Sequence, residues 1–316
     1  MKACVWVLVA SCGWMVPGCG ARVVTWTPPD DPPPGAAVDA GLPPPVDAGT
    51  TAPAPAPAPV LHSRFPQLPD QGGPRMHHPQ LVAITWADDP RAAADEALTR
   101  YLAGSPWLAL VGQDYGVGAG TMLGAVRRPG AAPAVMTDAE IEAGLVADVR
   151  EGVLPSAADG RFDETLYIVF VPGGTRVTQG NDTFRATSCM DFLGYHGAAG
   201  VAPSRFAYAV AVACDDPITL DAMGHPVGGV GTDSLLQVTT SHELIEAATD
   251  PDPLVAPAYE FRPSDGQPWT EFGPEIGDLC AERYVPMDGY LLQRAWSNRA
   301  AAEGRFPCAP LSPDGT

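Results

Sequence analysis

A chain of 316 residues, 46% hydrophobic and 17% charged, can bury a substantial core in one large domain or two small ones. Acidic residues outnumber basic ones by 37 to 18, for a formal net charge of −19. No basic run is present that could neutralise phosphates, which argues against nucleic acid, and the acidic balance disfavours any strongly anionic partner.

Residues 1–19 read as an export signal. Lys2 supplies a minimal positive region, and the apolar stretch from Ala3 to Val16 is too short to span a bilayer in a mature protein. Cys12, after Val9-Ala10-Ser11, and Cys19, after Val16-Pro17-Gly18, are both candidate lipoprotein cleavage sites. Cys19 is preferred for the longer apolar segment it leaves, and cleavage without a lipid is the alternative. Residues 20–61 form a spacer: positions 28–60 hold twelve of the 36 prolines and no Lys or Arg. Such a segment cannot bury a core and favours extended polyproline backbone. The expected product is an envelope protein (an outer-membrane lipoprotein) or a secreted one, with its folded domain at 62–316.

Within that domain, Gln80 to Trp86 is rich in β-formers and reads as a strand. Asp89 to Gly104 reads as a helix, with Pro90 in its first turn and Gly104 past its end. Thr137 and Glu140 form a capping box opening a helix to about Glu151. Thr165 to Val171 and Phe206 to Ala213 are buried strands by their continuous apolar character. Asp233 is placed to cap a helix running through Glu246 to about Ala248. Strands and helices intermingle, which predicts an α/β or α+β layered domain with a mixed sheet. Four cysteines lie beyond the signal, an even number suited to two disulfides in an exported chain. Of three pairings, Cys189–Cys214 with Cys280–Cys308 closes the shorter loops. His196, in a Gly-rich stretch, reads as a loop residue that could reach a site. His77, His78 and His225 read as surface residues, and the Asp114–Gly118 loop as a packing element.

The chemistry concentrates in Ser241-His242-Glu243-Leu244-Ile245-Glu246. Residues four apart share a helix face, so His242 and Glu246 present a nitrogen and a carboxylate to one point. This is the layout of the H-E-x-x-H zinc helix with glutamate in place of the second histidine. Glu243, one step round, would be the general base toward metal-bound water. The apolar neighbours Leu244, Ile245, Ala247 and Ala248 bury the helix, and buried carboxylates need a metal or a partner. A third ligand is sought in Glu275-Ile276-Gly277-Asp278: Glu275 as ligand with Asp278 orienting, or the roles exchanged. Asp252, six residues after Glu246, is a competitor, although Thr249 stands where that arrangement uses a turning glycine.

Ser241 to Pro251, followed by Glu275 to Cys280, Tyr290 to Asn298 and a late Cys308, resembles the phosphate-induced or EXORDIUM-like proteins. The resemblance extends over roughly residues 75–310. It implies secretion and a zinc-peptidase-like helix, with a metal site at His242, Glu246, Glu275 and Asp278 and catalytic Glu243. The plant growth role does not transfer, since the spacer, the anchor and the fewer cysteines depart from the plant pattern. Two readings follow. One is an envelope-anchored, zinc-peptidase-like hydrolase acting on peptide or cell-wall material. The other is a non-catalytic binding or structural protein whose Zn2+ or Ca2+ only braces the fold.

Overall fold

The computed structural model describes residues 65–156, 162–180, 185–214, 231–262 and 273–311. The signal segment, Cys12, Cys19, the spacer and His225 lie outside the described residues.

The domain is mixed α/β, as its residue pattern predicts. Its central sheet has the order β2-β1-β4-β8-β7, built from β1 (Gln80–Trp86), β2 (Thr121–Arg128), β4 (Thr165–Val171), β7 (Gly194–Ala199) and β8 (Phe206–Val212). The first four in that order run parallel, and β7 closes one edge antiparallel to β8. Buried parallel strands carry apolar side chains on both faces, which is why β4 and β8 read as unbroken apolar runs.

The two faces build two cores. One takes Leu81, Leu166, Ile168 and Phe170 together with helices α1 (Ala92–Gly104), α2 (Pro106–Gly112) and α4 (Thr232–Thr249). The other takes Val82, Tyr167, Val169 and Val210 with α3 (Asp138–Arg150) and the small sheet of β3 (Val135–Thr137), β5 (Arg176–Gly180) and β6 (Arg185–Thr187). In β8 the alternation is sharp: Phe206, Tyr208, Val210 and Val212 face the α3 side, while Ala207, Ala209 and Ala211 face the other. That alanine face lets α4 approach the sheet closely, and α4 is buried at every position from Val238 to Thr249.

The capping box forms as expected: Thr137 Oγ1 accepts from Glu140 N, and Glu140 Oε2 accepts from Thr137 N. Asp233 does not cap α4. It sits in the first turn and pairs instead with Arg91, so its charge serves a contact to the start of α1 rather than the helix amides. Beyond α4, the chain forms the hairpin of β9 (Tyr284–Met287) and β10 (Tyr290–Gln293), then β11 (Ala295–Trp296), α5 (Asn298–Ala302) and β12 (Cys308–Ala309). Asp114 accepts hydrogen bonds from Ser297 Oγ and Arg299 N and so holds the start of α5. No described helix is long and apolar enough to cross a membrane.

Both expected disulfides are present, Cys189–Cys214 and Cys280–Cys308. The second spans 28 residues, and closing a loop of that size is worth about 3–4 kcal/mol in the unfolded-chain entropy account. Urea denaturation of a Cys280→Ser/Cys308→Ser chain is therefore expected to show a loss of that order, and a loss below about 1 kcal/mol would contradict the assignment.

Candidate metal centre

Helix α4 carries hydroxyl residues that satisfy themselves within the helix. Thr240 Oγ1 donates to Leu236 O at 2.7 Å, Ser241 Oγ to Val238 O at 2.9 Å and Thr249 Oγ1 to Ile245 O at 2.8 Å. Such local bonds let polar residues sit in a buried helix without desolvation cost. Of its ionisable residues His242 and Glu246 meet each other within the helix, and their further partners come from elsewhere.

His242 and Glu246 meet on one face, with Nε2 and Oε2 3.2 Å apart. Asp278 Oδ1 reaches the same nitrogen at 3.6 Å. Ligand atoms 2.0–2.1 Å from a tetrahedral zinc stand roughly 3.3 Å from one another, close to the two separations that His242 makes here. The three residues form one group able to hold an ion. The segment bearing Asp278 is fixed against α4 by several bonds. Asp278 N donates to Glu246 Oε1 at 3.0 Å. Gln293 N donates to Ser241 Oγ at 2.9 Å, and the Gln293 amide donates to the carbonyls of Gly277 and Cys280.

Gly277 makes this approach possible. A Cβ there would lie 2.7 Å from Glu246 Oε1 and 2.8 Å from His242 Nδ1. Gly277→Ala is therefore expected to weaken zinc binding by about 10–100-fold, the range for disturbing the groups that orient ligands, while leaving the fold in place. Isothermal calorimetry of the variant checks this, and an unchanged Kd would contradict it.

Glu275 is not a member of this triad. Its Oε1 lies 3.4 Å from His196 Nε2, too poorly aligned for a hydrogen bond. Of the two orders weighed for Glu275 and Asp278, the geometry favours the exchanged one. Asp252 is committed elsewhere: Arg205 Nε and Nη2 donate to its two oxygens at 2.7 and 2.8 Å. Both its oxygens are thus engaged by a bidentate pair, and Asp252 is in neither group able to hold an ion.

His196 corrects the loop reading. It lies on β7, opposite Ala209 in the antiparallel register, and Ala209 belongs to the face that receives α4. Strand alternation therefore aims His196 at the helix. Its Nδ1 stands 3.4 Å from Glu243 Oε2 and 3.8 Å from Glu246 Oε2, and its Nε2 lies 3.2 Å from Asp250 O. His196, Glu243 and Glu246 form a second group able to hold an ion. The signal was present in the alternation of Phe206 to Ala213, once β7 is paired to it. Gly194 on the same strand would bring a Cβ within 2.8 Å of Glu243 Oε1, so its absence of side chain admits the Glu243 carboxylate.

The electrostatics are severe. Five carboxyl groups, Glu243, Glu246, Asp250, Glu275 and Asp278, share one buried region with two imidazoles. Burial alone would lower the His242 pKa, but the carboxylates of Glu246, Glu243 and Asp278 outweigh it and push it up to about 10. The same contest raises His196, with burial opposed by Glu275 and Glu243. Burial, reinforced by Glu246, raises Asp278 and moves Glu275 up to about 7. Burial and the Glu275 charge lift Asp250 to about 8, with partial relief from His196. Burial raises Glu243 as well, whereas His242 brings Glu246 below its ordinary value despite burial. Buried groups arranged so that each disfavours its neighbour's charge are costly without a counter-ion. The Oε1 atom of Glu275 and both carboxylate oxygens of Asp250 are buried with no hydrogen-bond partner. Orphaned acceptors beside paired ones are what a cation would satisfy, so the residues present fit a divalent metal.

The group borders a cleft of about 140 Å³. Tyr195, His196 and Gly197 line it from β7, with Glu243 and Glu246 from α4. Leu254 and Val255 stand exposed at its margin, at 67% and 74%. A mixed α/β domain with a buried histidine–carboxylate cluster lining a cleft is the class of protein these features define. No protein-family model, curated protein or solved structure matches the chain.

Proposed function

We propose that this chain is a metal-dependent hydrolase of zinc-peptidase-like and EXORDIUM-like character, exported to the cell envelope and acting on peptide or cell-wall material. The observation that carries the reading is the position of Glu243, a buried carboxylate beside the His242–Glu246–Asp278 triad and on the wall of the cleft. A zinc ion held by that triad supplies, when bound, a Lewis acid for a carbonyl and an acidified water. Glu243 is the proton acceptor. Its pKa is raised by burial, the direction that suits a base working near neutral pH. His196 Nδ1 faces Glu243 Oε2 and fixes its orientation. The two disulfides suit an oxidising, extracellular compartment, consistent with export.

The brace reading has one observation in its favour: Glu246 Oε1 accepts from Asp278 N, two residues before a disulfide cysteine. An ion there, zinc or calcium, would pin the loop to α4. The cleft beside Glu243 favours the hydrolase.

Elemental mass spectrometry of the full-length chain, beside a His242→Ala/Glu246→Ala chain, tests the shared premise. Near-stoichiometric metal in the first and none in the second is expected. No metal in either, even after incubation with zinc or calcium, would remove both readings.

A further inference from the structure

We propose that the centre holds two divalent cations, not one, with Glu246 shared between them: the first at His242, Glu246 and Asp278, the second at His196 Nδ1, Glu243 Oε2 and Glu246 Oε2. This rests on the reading that the first position binds a metal.

The geometry supplies two three-residue groups with a single common member. Glu246 Oε2 is 3.2 Å from His242 Nε2 on one side and 3.8 Å from His196 Nδ1 on the other. The remaining measured edge of the second group, His196 Nδ1 to Glu243 Oε2, is 3.4 Å. These separations suit ligand atoms gathered on one ion. A carboxylate between two imidazoles from different elements, one on α4 and one on β7, is placed as a bridge.

A separate observation comes from Glu275, buried and 3% exposed, whose Oε1 makes no hydrogen bond yet sits 3.4 Å from His196 Nε2. An imidazole that ligates a metal through one nitrogen carries its proton on the other and gives it to a carboxylate or a carbonyl. Asp250 O, 3.2 Å from Nε2, stands where that acceptor belongs. The unpaired Glu275 oxygen, 3.4 Å from the same nitrogen, sets a carboxyl beside the proton that Nε2 keeps once Nδ1 is committed to an ion. In such paired centres the two metals clamp the attacking and leaving oxygens together. Glu243 engages the second position through Oε2, with Oε1 packed toward Gly194.

The experiment is metal counting on the full-length chain, stripped with chelator, dialysed against Zn2+ and measured by elemental mass spectrometry. Two zinc ions per chain are expected in the wild type and one in His196→Ala, with unchanged circular dichroism. Glu275→Gln, nearly isosteric, should weaken the second binding step by about 10–100-fold in calorimetry and leave the first unmoved. It decides the matter if His196→Ala does not fold. One zinc in both wild type and His196→Ala overturns the second position and leaves the proposed hydrolase standing. Two zinc ions that persist in His196→Ala also overturn it, since the second ion then lies elsewhere. No zinc in the wild type removes the second ion and the hydrolase together.

Discussion

Glu243→Gln is expected to lower turnover by about 10²–10⁴-fold, the usual contribution of a positioned general base, while the ion at His242, Glu246 and Asp278 stays bound. The substitution keeps the volume of a buried side chain whose Oε1 packs toward Gly194, so the fold should not change. It also takes a carboxyl out of a region with an excess of them, which relieves electrostatic repulsion. The measurement is hydrolysis of a mixed peptide library and of purified peptidoglycan, read by mass spectrometry, with metal content determined on the same preparations. Undiminished hydrolysis in a metal-loaded Glu243→Gln chain would remove Glu243 from the chemistry.

Metal removal should reverse the way stability depends on pH. In the metal-free chain His242 titrates at about 10 against an ordinary value of 6.5, Asp250 at about 8 against 3.8 and Glu275 at about 7 against 4.5. Each group holds its proton more tightly folded than unfolded. Their stabilisation is complete below the unfolded values and is lost as pH rises through the folded ones, so the chelated chain should melt progressively lower from pH 6 to 9. Glu246, shifted down, acts below the ordinary carboxylate range and leaves this window alone. Zinc binding needs deprotonated ligands and strengthens over the same interval. At a thousandfold excess over Kd a ligand adds about 4 kcal/mol, on the order of 10 °C for a domain of this size. Differential scanning calorimetry with zinc and with chelator should therefore show a gap in Tm that widens with pH. A gap that is flat or narrows towards pH 9 would sink the assignment of these groups to a metal centre.

Much of the scaffold was legible because its signals are local. β1 and β4 fall on the residues whose apolar runs announce them, and the Thr137–Glu140 box opens α3 as its side chains require. The α4 pairing of His242 with Glu246 follows from helical period alone. What escaped depends on partners distant in sequence. Asp233 has the chemistry of a cap but finds Arg91. Asp252 has the spacing of a ligand but is taken by Arg205. Glu275 and Asp278 both lie near α4, and only the folding of the segment around Gly277 decides which carboxylate reaches His242. His196, named as a loop residue that could reach a site, was misplaced, since β7 is short, glycine-rich and weak in β-formers, and takes its identity from pairing with β8.

The cystines bear on how firmly the cleft is held together. Cys189–Cys214 brackets the strand carrying His196, and Cys280 follows Asp278 by two residues. The residues that join α4 at the cleft thus come from stretches of chain tied down by oxidation. A reduced copy must gather them from open loops against an entropic cost of about 3–4 kcal/mol per loop, which in an equilibrium constant is a factor of several hundred. Oxidation therefore favours the folded arrangement on which the proposed metal site depends, and a reduced copy would hold that arrangement less firmly.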